Sequence, residues 1–262
     1  MFGMKDFPAG KDYREQGFRR KDFPAGKDYR EQGSKEDVQD EGLLKERASE
    51  RKGISGGKAT FFRMLERIPP REWRDLGIAW FAITLAFSLV FIGGVFPGIS
   101  SQEFAFIFAV SAVTVGVGFI LHELAHKFTA MHYGYWAEFR KDNLMLLVAV
   151  AMAALAGFVF AAPGATVIYG QALSRRENGW ISASGVITNL VLAVPFAVLA
   201  LLGGGLLSII GFMGWKVNGM LAAFNMLPVG PLDGKKVLSW SPAAFGALIA
   251  AAFGLLAASY LV

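Results

Sequence analysis

The sequence predicts a mainly α-helical, polytopic membrane protein, a helix bundle of about five or six spans with a small membrane-associated β-hairpin. The chain of 262 residues is 54% hydrophobic and has a mean hydropathy of +0.42, which is more apolar than a typical soluble domain. Apolar stretches long enough to cross a bilayer recur along its second part. A segment rich in aromatic and β-branched residues around Pro163-Gly164 predicts the hairpin.

Residues 1–60 are predicted to form a charged, flexible arm that precedes a membrane-embedded domain at 61–262. Residues 1–76 carry 18 of the 26 Lys and Arg residues and 15 of the 21 Asp and Glu residues. Because these charges nearly balance and form no basic stripe, the net charge of +5 does not indicate nucleic-acid binding. The sequence KDFPAGKDYREQG occurs identically at 5–17 and 21–33, which favours a recently duplicated or non-native segment over a docking arm.

The membrane domain is expected to begin near Phe61 with a basic interfacial helix that places Trp73 at the membrane surface. The candidate spans are 76–96, 104–133, 144–162, 181–202, 209–230 and 243–262. Basic residues occur in the connections 134–143 and 171–180, and again after the fifth candidate. The positive-inside rule assigns these connections and the arm to the cytoplasm.

The stretch 144–162 is expected to enter the membrane and return rather than cross it. A full crossing would place Arg175 and Arg176 outside, against the positive-inside rule. With a re-entrant stretch these residues stay inside, and Lys216 reaches the outer face by extending its long side chain. The alternative is an ordinary third transmembrane helix. The hairpin expected within 158–170 would offer an open strand edge at membrane depth.

The sequence HELAH at 122–126 introduces ionisable side chains into an otherwise apolar stretch. Its spacing puts His122 and His126 on one face of a helix, where both imidazoles can bind one metal ion and Glu123 can take a proton from water. Ionisable residues in a membrane helix are costly and mark functional sites. Because the chain has no cysteine, imidazole and carboxylate ligands remain, and these suit zinc.

A catalytic zinc site needs a third protein ligand, for which the sequence offers three candidates. His132 has the spacing of a longer histidine motif, but Thr129 stands where that motif needs glycine, and on a continuing helix His132 points away. Glu138 is a weaker candidate at the end of the same helix or in its loop. Asp233 is preferred, because it follows a proline-broken apolar helix that ends at the depth expected for His122.

These motifs together resemble the site-2 protease family of intramembrane zinc metalloproteases. The sequence NMLPVGPLDG matches the family pattern N-x-x-P-x-x-x-L-D-G at Asn225, Pro228, Leu232, Asp233 and Gly234. A weaker match is SGVITN, where Gly185 and Asn189 fit a G-P-x-x-N pattern and Val186 replaces the proline. The resemblance covers 76–240 without a PDZ-length insertion between the motifs, as in a minimal prokaryotic member.

The resemblance implies one zinc ion held by His122, His126 and Asp233, with Glu123 as general base and Asn225 holding the substrate main chain. It also implies a strand that pairs with unwound substrate, and the predicted hairpin is its candidate. The expected activity is hydrolysis of peptide bonds in or near transmembrane segments of membrane proteins, near the cytoplasmic side of the cell membrane. The alternatives are a membrane-embedded metalloprotease of another type, which cuts soluble or loop segments, and a non-catalytic homologue.

Overall fold

The computed structural model describes residues 68–94, 98–159, 164–169 and 173–261. These residues form seven helices and two strands in the order α1 (Pro70–Ile92), α2 (Ser101–His132), β1 (Trp136–Lys141), α3 (Asn143–Ala156), β2 (Gly164–Tyr169), α4 (Arg175–Leu202), α5 (Leu206–Asn225), α6 (Asp233–Trp240) and α7 (Pro242–Leu261). The predicted arm and the first residues of the predicted membrane domain lie outside the described residues, so this division of the chain stays a prediction.

Five of the described helices, α1, α2, α4, α5 and α7, are long and apolar enough by length and composition to cross a membrane. The shortest have 20 residues, which at 1.5 Å per residue cover a hydrocarbon core of about 30 Å. Large apolar side chains such as Val191 and Leu202 are exposed on them, as expected for surfaces that contact lipid. The prediction of a mainly α-helical bundle with about five or six spans and a small sheet is confirmed.

Consecutive long helices run in opposite directions, which brings the candidate site residues to one end of the bundle. The start of α1 meets the end of α2 through an ion pair between Glu72 and Lys127, both fully buried. Farther along, Trp80 of α1 donates to the carbonyl of Ala112 in α2 at 3.0 Å. Helix α4 then runs back along α2, and α5 runs back along α4. The carboxyl ends of α2 and α5 therefore lie near the amino ends of α1 and α4.

Local sequence signals decide where these helices begin. A capping box begins α2, because Ser100 accepts from the N–H of Glu103 while the Glu103 side chain accepts from the N–H of Ser100. The same arrangement begins α4 at Ser174. Pro70 occupies the first position of α1, where its missing N–H costs nothing. The described part of the expected interfacial helix therefore forms the first turns of α1, with Trp73 exposed there.

Strands β1 and β2 form a two-stranded antiparallel sheet in which Phe139 is opposite Thr166. The sequence predicts a small sheet correctly, but the hairpin expected within 158–170 is wrong in its pairing. The described part of this segment supplies β2, and its partner β1 falls where a cytoplasmic loop was expected. The charged residues of WAEFRK suggest a loop, whereas the buried Ala137 and Phe139 alternate with them and form the inner face of a strand.

The chain between the two strands leaves the sheet and returns to it. Lys141 at the end of β1 is opposite Gly164 at the start of β2, so the two ends of the intervening segment are neighbours. Helix α3 within it has 14 residues and is about 21 Å long, too short for a hydrocarbon core of about 30 Å. This geometry supports the re-entrant path expected for 144–162 and disagrees with an ordinary third transmembrane helix.

Candidate metal centre

His122, His126 and Asp233 lie together in the structure, although Asp233 is distant from both histidines in the sequence. The histidines occupy successive turns of α2, and Asp233 is the first residue of α6. Nε2 of His126 is 3.0 Å from Nε2 of His122 and 3.0 Å from Oδ2 of Asp233. The remaining distance, from Nε2 of His122 to Oδ2 of Asp233, is 3.4 Å. All three side chains are buried, so the group is shielded from solvent.

The hydrogen bonds of Asn189 determine which nitrogen of His122 carries a proton. The Asn189 amide nitrogen donates to the Gly118 carbonyl at 3.2 Å and to Oδ1 of Asn218 at 3.0 Å. Its Oδ1 lies 2.5 Å from Nδ1 of His122 and therefore accepts from the imidazole. Because Nδ1 carries the proton, Nε2 presents its lone pair to the centre of the group.

The main chain holds His126 in the same tautomer. Its Nδ1 lies 2.7 Å from the carbonyl oxygen of Ile181, which can only accept a hydrogen bond, so Nδ1 donates. The lone pair of Nε2 again faces the centre of the group. Metal-binding histidines usually donate their other ring N–H in this way, which fixes the ring and makes the ligand nitrogen more basic.

This donor set fits a metal ion. Three atoms that offer lone pairs lie within 3.4 Å of one another, and such an arrangement needs a positive charge at its centre. A tetrahedral zinc site with ligand distances of about 2.0–2.1 Å separates its ligands by about 3.3 Å, close to the distances found here. A bound cation would supply that positive charge.

Glu123 lines a cavity of about 160 Å³ that the three candidate ligands also line. Apolar side chains of α1 and α3 form another part of its wall, and β2 contributes four residues. Thr166 of β2 donates its hydroxyl to Oε2 of Glu123 at 3.0 Å. A carboxylate placed beside a metal-binding group and facing a cavity can take a proton from a water molecule in that cavity.

Comparison with known proteins gives the family of the chain. The chain is 42% identical, over 178 residues, to a Methanocaldococcus jannaschii protein named "Putative zinc metalloprotease MJ0611"; the match covers 67% of this chain and 87% of that relative. The chain belongs to the site-2 protease family of zinc metalloproteases. It is also 28% identical over 173 residues to "Putative zinc metalloprotease Rip3" of Mycobacterium tuberculosis, and this match covers 64% of the chain and 39% of Rip3. No family model and no solved structure matches the chain.

In this site-2 protease family member, the second motif joins the end of α5 to the start of α6. Asn225, the last residue of α5, lines the same cavity as Glu123, and its Nδ2 donates to the Leu221 carbonyl at 3.0 Å. Its role toward the substrate main chain stays a prediction. Gly234 allows α6 to approach the end of α5, because a Cβ at this position would collide with the carbonyl of Met226.

The structure places the two alternative third ligands of the family member elsewhere. His132 is the exposed last residue of α2, and its ring packs against Tyr133. Glu138 lies in β1, where its carboxylate contacts the guanidinium of Arg140. The chain therefore brings Asp233, and neither alternative, to the two histidines.

Three further residues of the family member shape the surroundings of the two candidate ligand histidines, and the sequence alone does not predict this role for them. Gly185 leaves room for both imidazoles, because a Cβ there would lie 2.5 Å from ring atoms of His126 and 2.8 Å from His122. Asn189 orients His122, and Asn218 accepts from Asn189. The sequence signal for Asn218 is an amide in the interior of an apolar helix, which is costly in a membrane unless it is hydrogen-bonded.

Proposed function

We propose that this chain is an intramembrane zinc endopeptidase that hydrolyses peptide bonds in or near transmembrane segments of membrane proteins. One observation carries the proposal. Three buried lone-pair donors, His122, His126 and Asp233, converge beside the Glu123 carboxylate and a cavity, among helices apolar enough to span a bilayer. Ionisable groups among membrane-spanning helices usually serve a function. The three ligand candidates and the Glu123 carboxylate are the groups that metal-assisted peptide hydrolysis uses.

The chemistry divides between the metal ion and the chain. Zinc held by the three ligands would polarise the scissile carbonyl and make water more acidic. Glu123 accepts a proton from the attacking water and passes it to the nitrogen of the departing amine. Asn225, which lines the same cavity, is the residue that we assign to holding the substrate main chain.

Strand β2 is the element that we assign to substrate binding. The N–H of Phe139 in β1 donates to Oε1 of Glu72 at 3.0 Å, so α1 occupies the outer edge of β1. Because opposite pairs alternate in an antiparallel ladder, Phe139 and Thr166 turn their main-chain groups away from each other. Among the described residues no strand pairs with the other edge of β2, which presents the main-chain groups of Gly164, Thr166 and Ile168. All three residues line the cavity.

A membrane-spanning substrate must unwind before hydrolysis, because a helix keeps each peptide group in an i to i−4 hydrogen bond. Peptide groups left unpaired in hydrocarbon cost several kcal/mol each. Pairing with the free edge of β2 would replace these hydrogen bonds by β-augmentation. The expected substrate is therefore a transmembrane segment that can extend locally beside Glu123.

We place the centre near the cytoplasmic face of the cell membrane. His122 lies ten residues before the end of α2, about 15 Å along the helix axis. The described basic residues near that end of the bundle are Arg71, Arg74, Lys127, Arg140, Lys141, Arg175, Arg176, Lys235 and Lys236. The positive-inside rule assigns such an end to the cytoplasm.

The experiment that tests the proposal removes the general base and keeps the metal ligands. Glu123→Gln in the full chain, purified in detergent, should bind as much zinc as the unaltered protein. It should cleave a transmembrane peptide at least about 100-fold more slowly, because general-base catalysis contributes factors of this size. The matched control is Glu103→Gln at the exposed start of α2, which should cleave normally. Cleavage by Glu123→Gln at the unaltered rate would contradict the proposal.

Two further outcomes separate the proposal from its alternatives. Equally fast cleavage of soluble peptides would favour a membrane-embedded metalloprotease of another type. A protein without zinc at neutral pH and without cleavage of either substrate would favour a non-catalytic homologue.

A further inference from the structure

Thr166 contacts the predicted general base from the substrate strand. Its Oγ1 lies 3.0 Å from Oε2 and 3.1 Å from the main-chain oxygen of Glu123. Neither of these oxygens has a hydrogen to give when the carboxyl is ionised, so the hydroxyl is the donor. A hydrogen bond to a charged carboxylate is stronger than one between neutral groups. The hydroxyl has one hydrogen, which the carboxylate and main-chain oxygens of Glu123 share, and this contact limits the rotation of the carboxylate.

The main chain of Thr166 faces in a different direction from its hydroxyl. Thr166 is opposite Phe139, whose N–H points away from β2 toward Glu72, so the N–H and carbonyl of Thr166 point to the free edge of the sheet. The side chain of Thr166 is half-buried and directed inward, as is that of Ile168 on the same strand. One residue thus contacts the base through its side chain and offers its main chain to a pairing strand.

We propose that Thr166 is the positioning residue that aligns the Glu123 carboxylate with a substrate strand paired to β2. This inference rests on the proposed function. A peptide that pairs with the Thr166 main chain is held at a fixed distance from the carboxylate that the Thr166 hydroxyl holds. The alignment of base and peptide then comes from a single residue, and no rearrangement is needed when substrate binds.

The proton transfers of hydrolysis remain those of Glu123. A water O–H bond breaks as the Glu123 carboxylate gains a proton and the water oxygen bonds to the scissile carbonyl carbon. The C–N bond then breaks as that proton forms the N–H bond of the departing amine. Thr166 neither gains nor loses a proton, and it acts on the reaction only through the Glu123 carboxylate that its hydroxyl contacts. Removal of the Thr166 hydroxyl should therefore lower the fraction of time for which the Glu123 carboxylate is correctly placed. It should leave zinc binding and substrate pairing intact.

The test compares side chains that differ in the hydroxyl group alone. Thr166→Val removes the hydroxyl at nearly constant shape, and Thr166→Ser keeps it. The matched control is Thr114→Val, which removes a hydroxyl that donates to the Val110 carbonyl within α2 at 2.9 Å. Each full-length variant is purified with zinc, and the zinc content, kcat and KM are measured on one transmembrane peptide. Binding of the same peptide is also measured in the uncleaving Glu123→Gln background.

We expect Thr166→Val to keep its zinc and its KM within about twofold while kcat falls roughly 10- to 100-fold, the effect of losing a hydrogen bond to a charged group. Thr166→Ser should restore most of kcat, and Thr114→Val should match the unaltered protein. Peptide binding in the Glu123→Gln background should not change with Thr166→Val, because the main-chain edge is the same.

Two results would overturn the role of Thr166. The first is an unchanged kcat in Thr166→Val, and the second is a loss confined to KM and peptide binding, which would make Thr166 a substrate contact only. If Thr166→Val does not fold, Thr166→Ser is compared with Thr166→Ala, and equal kcat values in that pair overturn the role. Failure of the unaltered protein to cleave any peptide would instead contradict the proposed function, so the two failures are distinguishable.

Discussion

Oδ1 of Asn189 lies 2.5 Å from Nδ1 of His122, and the same amide donates to Oδ1 of Asn218 at 3.0 Å. Two amides thus connect α5, through α4, to an imidazole of the candidate metal centre on α2. All three side chains are buried, where an unsatisfied amide would be costly. The orientation of one candidate ligand therefore depends on the packing of three membrane helices.

We expect Asn189→Ala to weaken zinc binding roughly 10- to 100-fold, because the hydrogen-bond partner of a metal-binding histidine fixes its tautomer. Competition with a chelator of known affinity measures the change. The control is Thr188→Val on the same helix, since the hydroxyl of Thr188 bonds only to the carbonyl of Ser184 one turn earlier. Equal zinc affinity in Asn189→Ala and the unaltered protein would refute a role for Asn189 at the ligand.

Removal of the third ligand should release the metal. Asp233→Ala is expected to lose stoichiometric zinc, because two imidazoles remain where catalytic zinc sites usually have three protein ligands. His132→Ala should keep its zinc, because His132 is exposed at the end of α2 and is not part of the group. Metal analysis of both purified variants measures this. Loss of zinc only in His132→Ala would exclude the ligand set proposed here.

A single methyl group at Gly185 should disturb the centre. Gly185→Ala would place a Cβ 2.5 Å from the His126 ring, so the imidazoles must move, and we expect zinc affinity and cleavage to fall at least about tenfold. Gly246→Ala in α7 is the matched control, because its Cβ meets no atom within 4 Å. Zinc titration and peptide cleavage are the measurements, and identical behaviour of the two alanine variants would contradict the prediction.

The buried ion pair of Glu72 and Lys127 should matter for stability because removing one partner leaves the other charge buried and unpaired. Lys127→Met leaves the Glu72 carboxylate buried without its partner, a change that typically costs about 3–5 kcal/mol. The double variant Glu72→Gln with Lys127→Met removes both charges and should recover part of this loss. Thermal unfolding in detergent measures both effects. A double variant less stable than Lys127→Met alone would show that the ion pair is not the source of the cost.

The parts of the structure that depend on local pattern could be predicted from the sequence. Apolar stretches predict the long helices, because a span in hydrocarbon must be both helical and apolar. The HELAH spacing places His122 and His126 on one helix face. The positive-inside rule predicts that Asp233 lies at the same end of the bundle. These are the three residues that the structure brings together.

The parts that depend on contacts between distant segments could not be predicted. Strand β1 carries Glu138 and Arg140, which suggest a loop, and it becomes a strand because β2 pairs with it. Glu72 resembles an interfacial residue until the fold brings Lys127, 55 residues later, against it. Asn218 gains its role only when α4 packs on α5, since its partner Asn189 lies on the other helix.

Because Lys141 pairs with Gly164, the length of the segment between them is limited differently from the length of the long helices. The thickness of the bilayer sets a minimum length for the candidate spans α1, α2, α4, α5 and α7. No such constraint acts on the segment between the paired residues, because both of its ends are fixed at the same place. Insertions or deletions near its turn would leave Thr166 beside Glu123. The length of this segment can therefore change without altering the register of β1 and β2, whereas Ala149 and Val159 within it are constrained because they line the cavity.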